Sequence, residues 1–121
     1  MVYKVRRSAS ANSDLEAIFR HLIESYMSFG ESRPDAVEKA QARVRIIRSS
    51  IEDLAFLPHQ GTIGGSADQT DVRHVTKNKA IIYFQVNDME RVIHILAIFY
   101  SGQDHQRRMV ERLTGPFSLD R

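Results

Sequence analysis

Between positions 92 and 99 every side chain but His94 is apolar, in the run Val-Ile-His-Ile-Leu-Ala-Ile-Phe. Period-two alternation turns Ile93, Ile95 and Ala97 to one face and Val92, Leu96 and Ile98 to the other, with His94 among them. A strand that is apolar on both sides belongs inside a sheet with cover on both faces. A layer of helices can supply one cover. The second comes either from another element of the same chain or from a partner.

The rest of the chain supplies the helices first and the strands afterwards. Residues 2–6 alternate apolar and polar, the pattern of a half-buried strand. Leu15, Ile18, Phe19, Leu22, Ile23 and Tyr26 then recur at helical spacing, with a start either near Ser8 or at Ser13, which has capping-box spacing to Glu16. Gly30 predicts the end of that helix and Pro34 the first turn of the next. Val37, Ala40, Val44, Ile47, Ile51 and Leu54 make the second apolar stripe, while Arg43, Arg45 and Arg48 fall on the remaining surface. Pro58 closes the helix, and residues 59–70 read as a loop.

Three strands follow, at residues 72–75, 80–86 and 91–100, joined by turns at Lys77-Asn78 and Asn87-Asp88. Residues 104–113 predict a last helix, stopped by Gly115-Pro116. The order β-α-α-β-β-β, with a short C-terminal helix, predicts an α+β fold. A helical hairpin packs on a small antiparallel sheet, in one domain over residues 1–121.

Chemistry is sparse. Without cysteine there is neither a disulfide nor a thiolate site, and the five histidines have no metal-ligand spacing, so no metal or cofactor is expected. Gly61, Gly64 and Gly65 are followed by no Lys-Ser/Thr pair, which excludes a phosphate loop, and no serine sits in a nucleophile elbow. A net charge of +2 is too small for a nucleic-acid coat. No apolar run reaches membrane-spanning length and the N-terminus lacks a signal core, so a cytoplasmic location is expected.

Taken in order, several segments resemble the RelE/ParE toxins of type II toxin–antitoxin systems across residues 2–113. They are the Tyr-Lys-Val-Arg opening, Asp14-Leu15-x-x-Ile18, Leu54-x-x-Leu57-Pro58, Val72-Arg73-His74-Val75, residues 80–86, and Ile93-x-Ile95-Leu96-Ala97-Ile98-Phe99-Tyr100. The resemblance implies a cognate antitoxin of the ParD/RelB kind and growth arrest when the chain is expressed alone. It also implies that the toxin by itself makes no sequence-specific contact with DNA. The apolar strand offers antitoxin-binding candidates in Ile93, His94, Ile95, Leu96, Ile98 and Tyr100.

Two activities occur on this fold. RelE-like members cut messenger RNA on the ribosome, with arginines at the start of the strand read here as residues 80–86 and after the last strand, and a tyrosine beyond. Those positions hold Ala80, Asp104 and Val110. A ribonuclease would have to use Arg73, Tyr100 and His105 instead. ParE-like members bind DNA gyrase and trap its cleavage complex, which needs no acid–base set. The sequence favours a ParE-like binder over an enzyme, with target-binding candidates Arg73, Lys77, Arg107 and Arg108. A chain that binds an antitoxin but has lost toxicity is the third reading.

Overall fold

The computed structural model of the chain describes residues 2–63, 72–100 and 105–114, with residues 105, 106 and 114 described by their backbone. Strand β1 (Lys4–Arg7) leads into α1 (Ala9–Ser28), α2 (Arg33–Glu52) and a single 3-10 turn (Asp53–Ala55). Then come β2 (Thr62–Ile63), β3 (Arg73–Lys77), β4 (Ala80–Asn87), β5 (Val92–Tyr100) and α3 (His105–Thr114). This is the expected α+β order with one short strand added. Residues 64–70 of the expected loop, Asp104, and the expected stop at Gly115-Pro116 lie outside the described residues.

The helix ends follow from local chemistry. Of the two candidate starts for α1, Ser8 is the cap: its Oγ accepts the Ala11 N–H at 3.0 Å. At the other end Gly30 sits at φ 104, while the Gly30 and Glu31 N–H groups reach back to Met27 and Tyr26 carbonyls. Ser32 caps α2 by accepting from the Asp35 N–H, with Pro34 in the first turn.

The sheet order is β1-β5-β4-β3-β2, and it is mixed rather than wholly antiparallel, because β1 runs parallel to β5. The long strand that opened the sequence argument is therefore internal, flanked by β1 and β4. Its side-chain alternation differs from a plain period of two. Tyr83 pairs with Ala97 and Phe84 with Ile95, so Leu96 is an extra residue, a β-bulge. The bulge reverses the pattern beyond it. Ile98 joins Ile93 and Ile95 on the hairpin face, and Ala97 goes to the opposite face with Leu96 and Phe99.

Each face has its own core. Leu15, Ile18 and Leu22 of α1 and Val44, Ile47 and Ile51 of α2 pack on Ile82, Phe84, Ile93, Ile95 and Ile98. On the other face Met109, only 3% exposed, seats α3 against Ile81, Tyr83, Leu96, Ala97 and Phe99, with Leu113 beside it. Burial of a side chain such as Met109 contributes about 2 kcal/mol. Of the two covers the sequence allowed, the chain supplies the second itself.

The edge of β5 beyond β1 is closed by side chains. Past the Arg7–Ile95 pair there is no neighbouring strand among the described residues, and backbone polar groups left there need partners. Asp14 of α1 accepts the Ile98 N–H at 2.8 Å, and Arg112 of α3 donates to the Leu96 carbonyl at 3.2 Å. Arg112 also grips Asp14 in a two-pronged pair at 2.9 and 3.1 Å and lies over the Phe99 ring. One arginine thus ties the last helix to the first.

Candidate partner-binding site

A groove of about 630 Å³ runs along the solvent side of the helical hairpin. Its small apolar part comes from the half-buried Phe19 of α1, with the buried Leu15 one helical turn before it and the buried Val44 of α2. Its polar rim is Asn12 and Glu16 on one side, Gln41, Arg45 and Arg48 on the other, with Arg7 of β1 at one end. The three arginines outnumber the single glutamate. Arg7 is engaged, its Nε donating to Asn12 at 2.8 Å and its guanidinium lying 3.8 Å from Glu52. Arg45 and Arg48 are exposed and have no hydrogen-bond or ion-pair partner among the described residues.

This arrangement can do one thing well. A mainly polar groove with a small apolar strip seats one edge of a helix or an extended segment, and unpaired guanidinium groups at its rim select carboxylates. Leu15, Phe19, Val44, Arg45 and Arg48 were present in the sequence reading, but as separate features. Leu15, Phe19 and Val44 belonged to the core stripes, and Arg45 and Arg48 to the ordinary charged surface. That two stripes leave a trough between them is a product of helix packing, which periodicity alone does not report.

The residues singled out from sequence fall elsewhere. Ile93, Ile95 and Ile98 lie in the main core at 0–1% exposure, beneath the hairpin. Leu96 lies in the second core, under α3. As antitoxin-binding candidates these four are corrected by their burial: both faces of β5 are covered by this chain. His94 is exposed, and Tyr100 is half-buried, its hydroxyl accepting from Arg43 Nε at 3.2 Å.

Nor does the fold gather the alternative ribonuclease set. Arg73 pairs with Phe84 and Tyr100 with Ala80, which places them at opposite ends of β3–β5. On strand geometry that separation is roughly 15 Å. Arg73 instead donates to the His59 carbonyl at 2.9 Å, and the His105 side chain lies outside the described residues. Ala80, where the resemblance calls for an arginine, is fully buried in the core. Of the remaining target candidates, Lys77 ends β3 and is half-buried, while Arg108 is exposed on α3, as is Arg107, which pairs with Glu111 at 3.2 Å.

A second polar cluster lies at the sheet end where Arg73 is found. Asp88, in the β4–β5 turn, accepts from Tyr3 Oη at 2.5 Å and faces His59 Nε2 at 2.8 Å. The Tyr3 hydrogen bond, with the His59 hydrogen bond and the charges of His59 and Arg73, holds the Asp88 carboxyl below the usual carboxylate range. The same bond raises the Tyr3 phenol above its ordinary value. Three connections meet there: the N-terminus, the segment after α2, and the β4–β5 turn. Among the described residues no cluster of His, Asp and Glu side chains has the makings of a metal site.

No protein-family model and no curated protein matches the sequence. Solved structures do. A chain of the chromosomal ParDE TA system from P. aeruginosa superposes with a TM-score of 0.63 and 24% identity, over 83% of this chain and 97% of that one. A chain of the RelBE2 toxin-antitoxin complex from Mycobacterium tuberculosis gives 0.55 and 12%, over 85% and 95%. The α+β fold expected from the sequence is the fold observed, and these two chains share it.

Proposed function

We propose that this chain, which has the RelE/ParE fold, is the toxin half of a type II toxin–antitoxin pair and acts in the cytoplasm by binding DNA gyrase. Its cognate antitoxin holds it inactive by laying an acidic, amphipathic segment in the hairpin groove. The observation that carries this reading is the groove itself, mainly polar with a small apolar strip, whose rim presents Arg45 and Arg48 without partners among the described residues. The comparisons support a partner because both neighbours belong to toxin–antitoxin assemblies. Among the described residues no helix is long and apolar enough to cross a membrane. The preference for a binder over a ribonuclease rests on Ala80 in the core and on the separation of Arg73 from Tyr100.

Expression of the chain alone should arrest growth, and co-expression with the product of the adjacent small reading frame should restore it. Purified protein should inhibit gyrase supercoiling and leave ribosome-bound message uncut. Cleavage of message with no effect on gyrase would replace the proposed activity with a ribonuclease. Normal growth with abundant folded protein would leave only the antitoxin-binding role.

A further inference from the structure

We propose that the open half of the sheet face opposite the hairpin holds the phosphate backbone of duplex DNA, without reading its sequence. The proposal extends the reading that the target of this chain works on DNA. Helix α3 covers that face over Ile81, Tyr83, Leu96, Ala97 and Phe99. Toward the other end of the sheet the register lays three polar side chains in a row. Arg6 of β1 pairs with His94 of β5, and His94 pairs with Gln85 of β4. Their chain neighbours Val5, Ile93 and Val86 pack with the core under the hairpin, so the row is turned the other way. Lys4 stands on the same side of β1, two residues before Arg6.

Nothing within the chain neutralises this row. Lys4, Arg6 and His94 are exposed, and neither they nor Gln85 have a side-chain partner among the described residues. Glu90, in the turn after β4, is engaged by Asn87, whose Nδ2 donates to its carboxylate at 3.4 Å. Asn87 Oδ1 also accepts the Glu90 N–H at 3.0 Å. Lys4 and Arg6 therefore repel each other on one strand and gain no contact in return.

Spacing and shape select the ligand. On strand geometry Lys4 and Arg6 stand about 6.6 Å apart, close to the roughly 6.8 Å rise of two nucleotides along one strand of a duplex. His94 and Gln85 set hydrogen-bonding groups beside them at the strand spacing of about 4.8 Å. Side chains of these kinds hold phosphates and carry no sequence information. The row contains no Phe, Tyr or Trp on which an unpaired base could stack, which favours a duplex over a single strand. A net charge of +2 fits such a local contact.

Fluorescence anisotropy of the full chain with a short labelled duplex of mixed sequence tests this. The parent should bind with a Kd on the order of 10 μM at low salt. Its log K should fall against log salt with a slope of about −2 to −3, as two or three phosphate contacts require. Lys4→Glu/Arg6→Glu should weaken binding by at least about tenfold and flatten the slope. Arg45→Glu/Arg48→Glu, with the same change in net charge, should weaken it by less than about threefold. Unfolding midpoints show that each variant is folded, and Lys4→Gln/Arg6→Gln repeats the test with a milder change. Equal losses in the two reversals would show that net charge, and not this row, holds the duplex. Absence of binding by the parent at low salt, or tighter binding to a single strand or to polyglutamate, would overturn the assignment. Those failures leave the gyrase reading standing, since supercoiling inhibition by the parent is measured separately. Loss of that inhibition alone removes the gyrase reading and leaves the DNA contact.

Discussion

Lys79 sits at φ 69 beside Asn78 at φ 52, the paired left-handed conformation of a two-residue hairpin turn. Asparagine tolerates that region and lysine does so at a steric disadvantage, whereas glycine at the second position suits it. Lys79→Gly should therefore stabilise the protein by about 0.5–1 kcal/mol, seen as a rise in unfolding midpoint of a few degrees. An unchanged or lower midpoint would show that the side chain does more than occupy the turn. The sequence placed this turn one residue early, at Lys77-Asn78, because both readings put Asn78 in it and only the register decides between them. Asp88 was equally visible as a turn residue, but its link to Tyr3 spans most of the chain.

Asp88 also predicts a pH dependence. A carboxylate held below its ordinary value stabilises the fold above the unfolded carboxylate range, and that contribution is lost as the pH falls through the lowered value. The raised Tyr3 phenol works in the opposite sense. Its contribution is complete below the ordinary phenol range and is lost as the pH rises through the raised value. Denaturant titrations across pH should show Asp88→Asn losing part of the acid limb and part of the alkaline limb relative to the parent. Parallel curves would mean that the cluster is energetically idle.

At the scale of elements, the helices and the internal strand were legible because their apolar periods are long and unbroken. The bulge at Leu96 was not. An extra residue in an all-apolar run changes no residue type, and yet it sends Ile98 and Ala97 to the faces opposite those expected. The role of α3 was left undecided for a related reason: Met109 and Leu113 show an apolar stripe without naming the surface it meets. Met109→Ala should lower stability by about 2–3 kcal/mol, because it removes the side chain that seats α3. Arg107→Ala, which removes the exposed pair with Glu111, should change it by less than about 0.5 kcal/mol. Equal effects of the two substitutions would contradict the account of α3 as a cover. Asp14 belongs to this scale too. It was noticed as part of a family-like segment, but its service to the Ile98 N–H and Arg112 is tertiary.

For the whole molecule, the candidate binding surface is a groove and not a strand. The sequence left one face of β5 open to a partner, and the fold covers both faces from within the chain. What remains open on the hairpin is a mainly polar groove with a small apolar strip, flanked by Arg45 and Arg48 without partners among the described residues. Charge at that rim is the central claim, and its most direct test is calorimetric titration of the proposed partner, the product of the adjacent small reading frame, into the parent chain and into an Arg45→Glu/Arg48→Glu variant. The two substituted positions are exposed, so the unfolding midpoint should stay within a few degrees of the parent. Affinity should fall by at least about thirtyfold at low salt, roughly 2 kcal/mol, with the difference narrowing as salt is raised. An affinity equal to the parent's at low salt would show that the partner binds elsewhere.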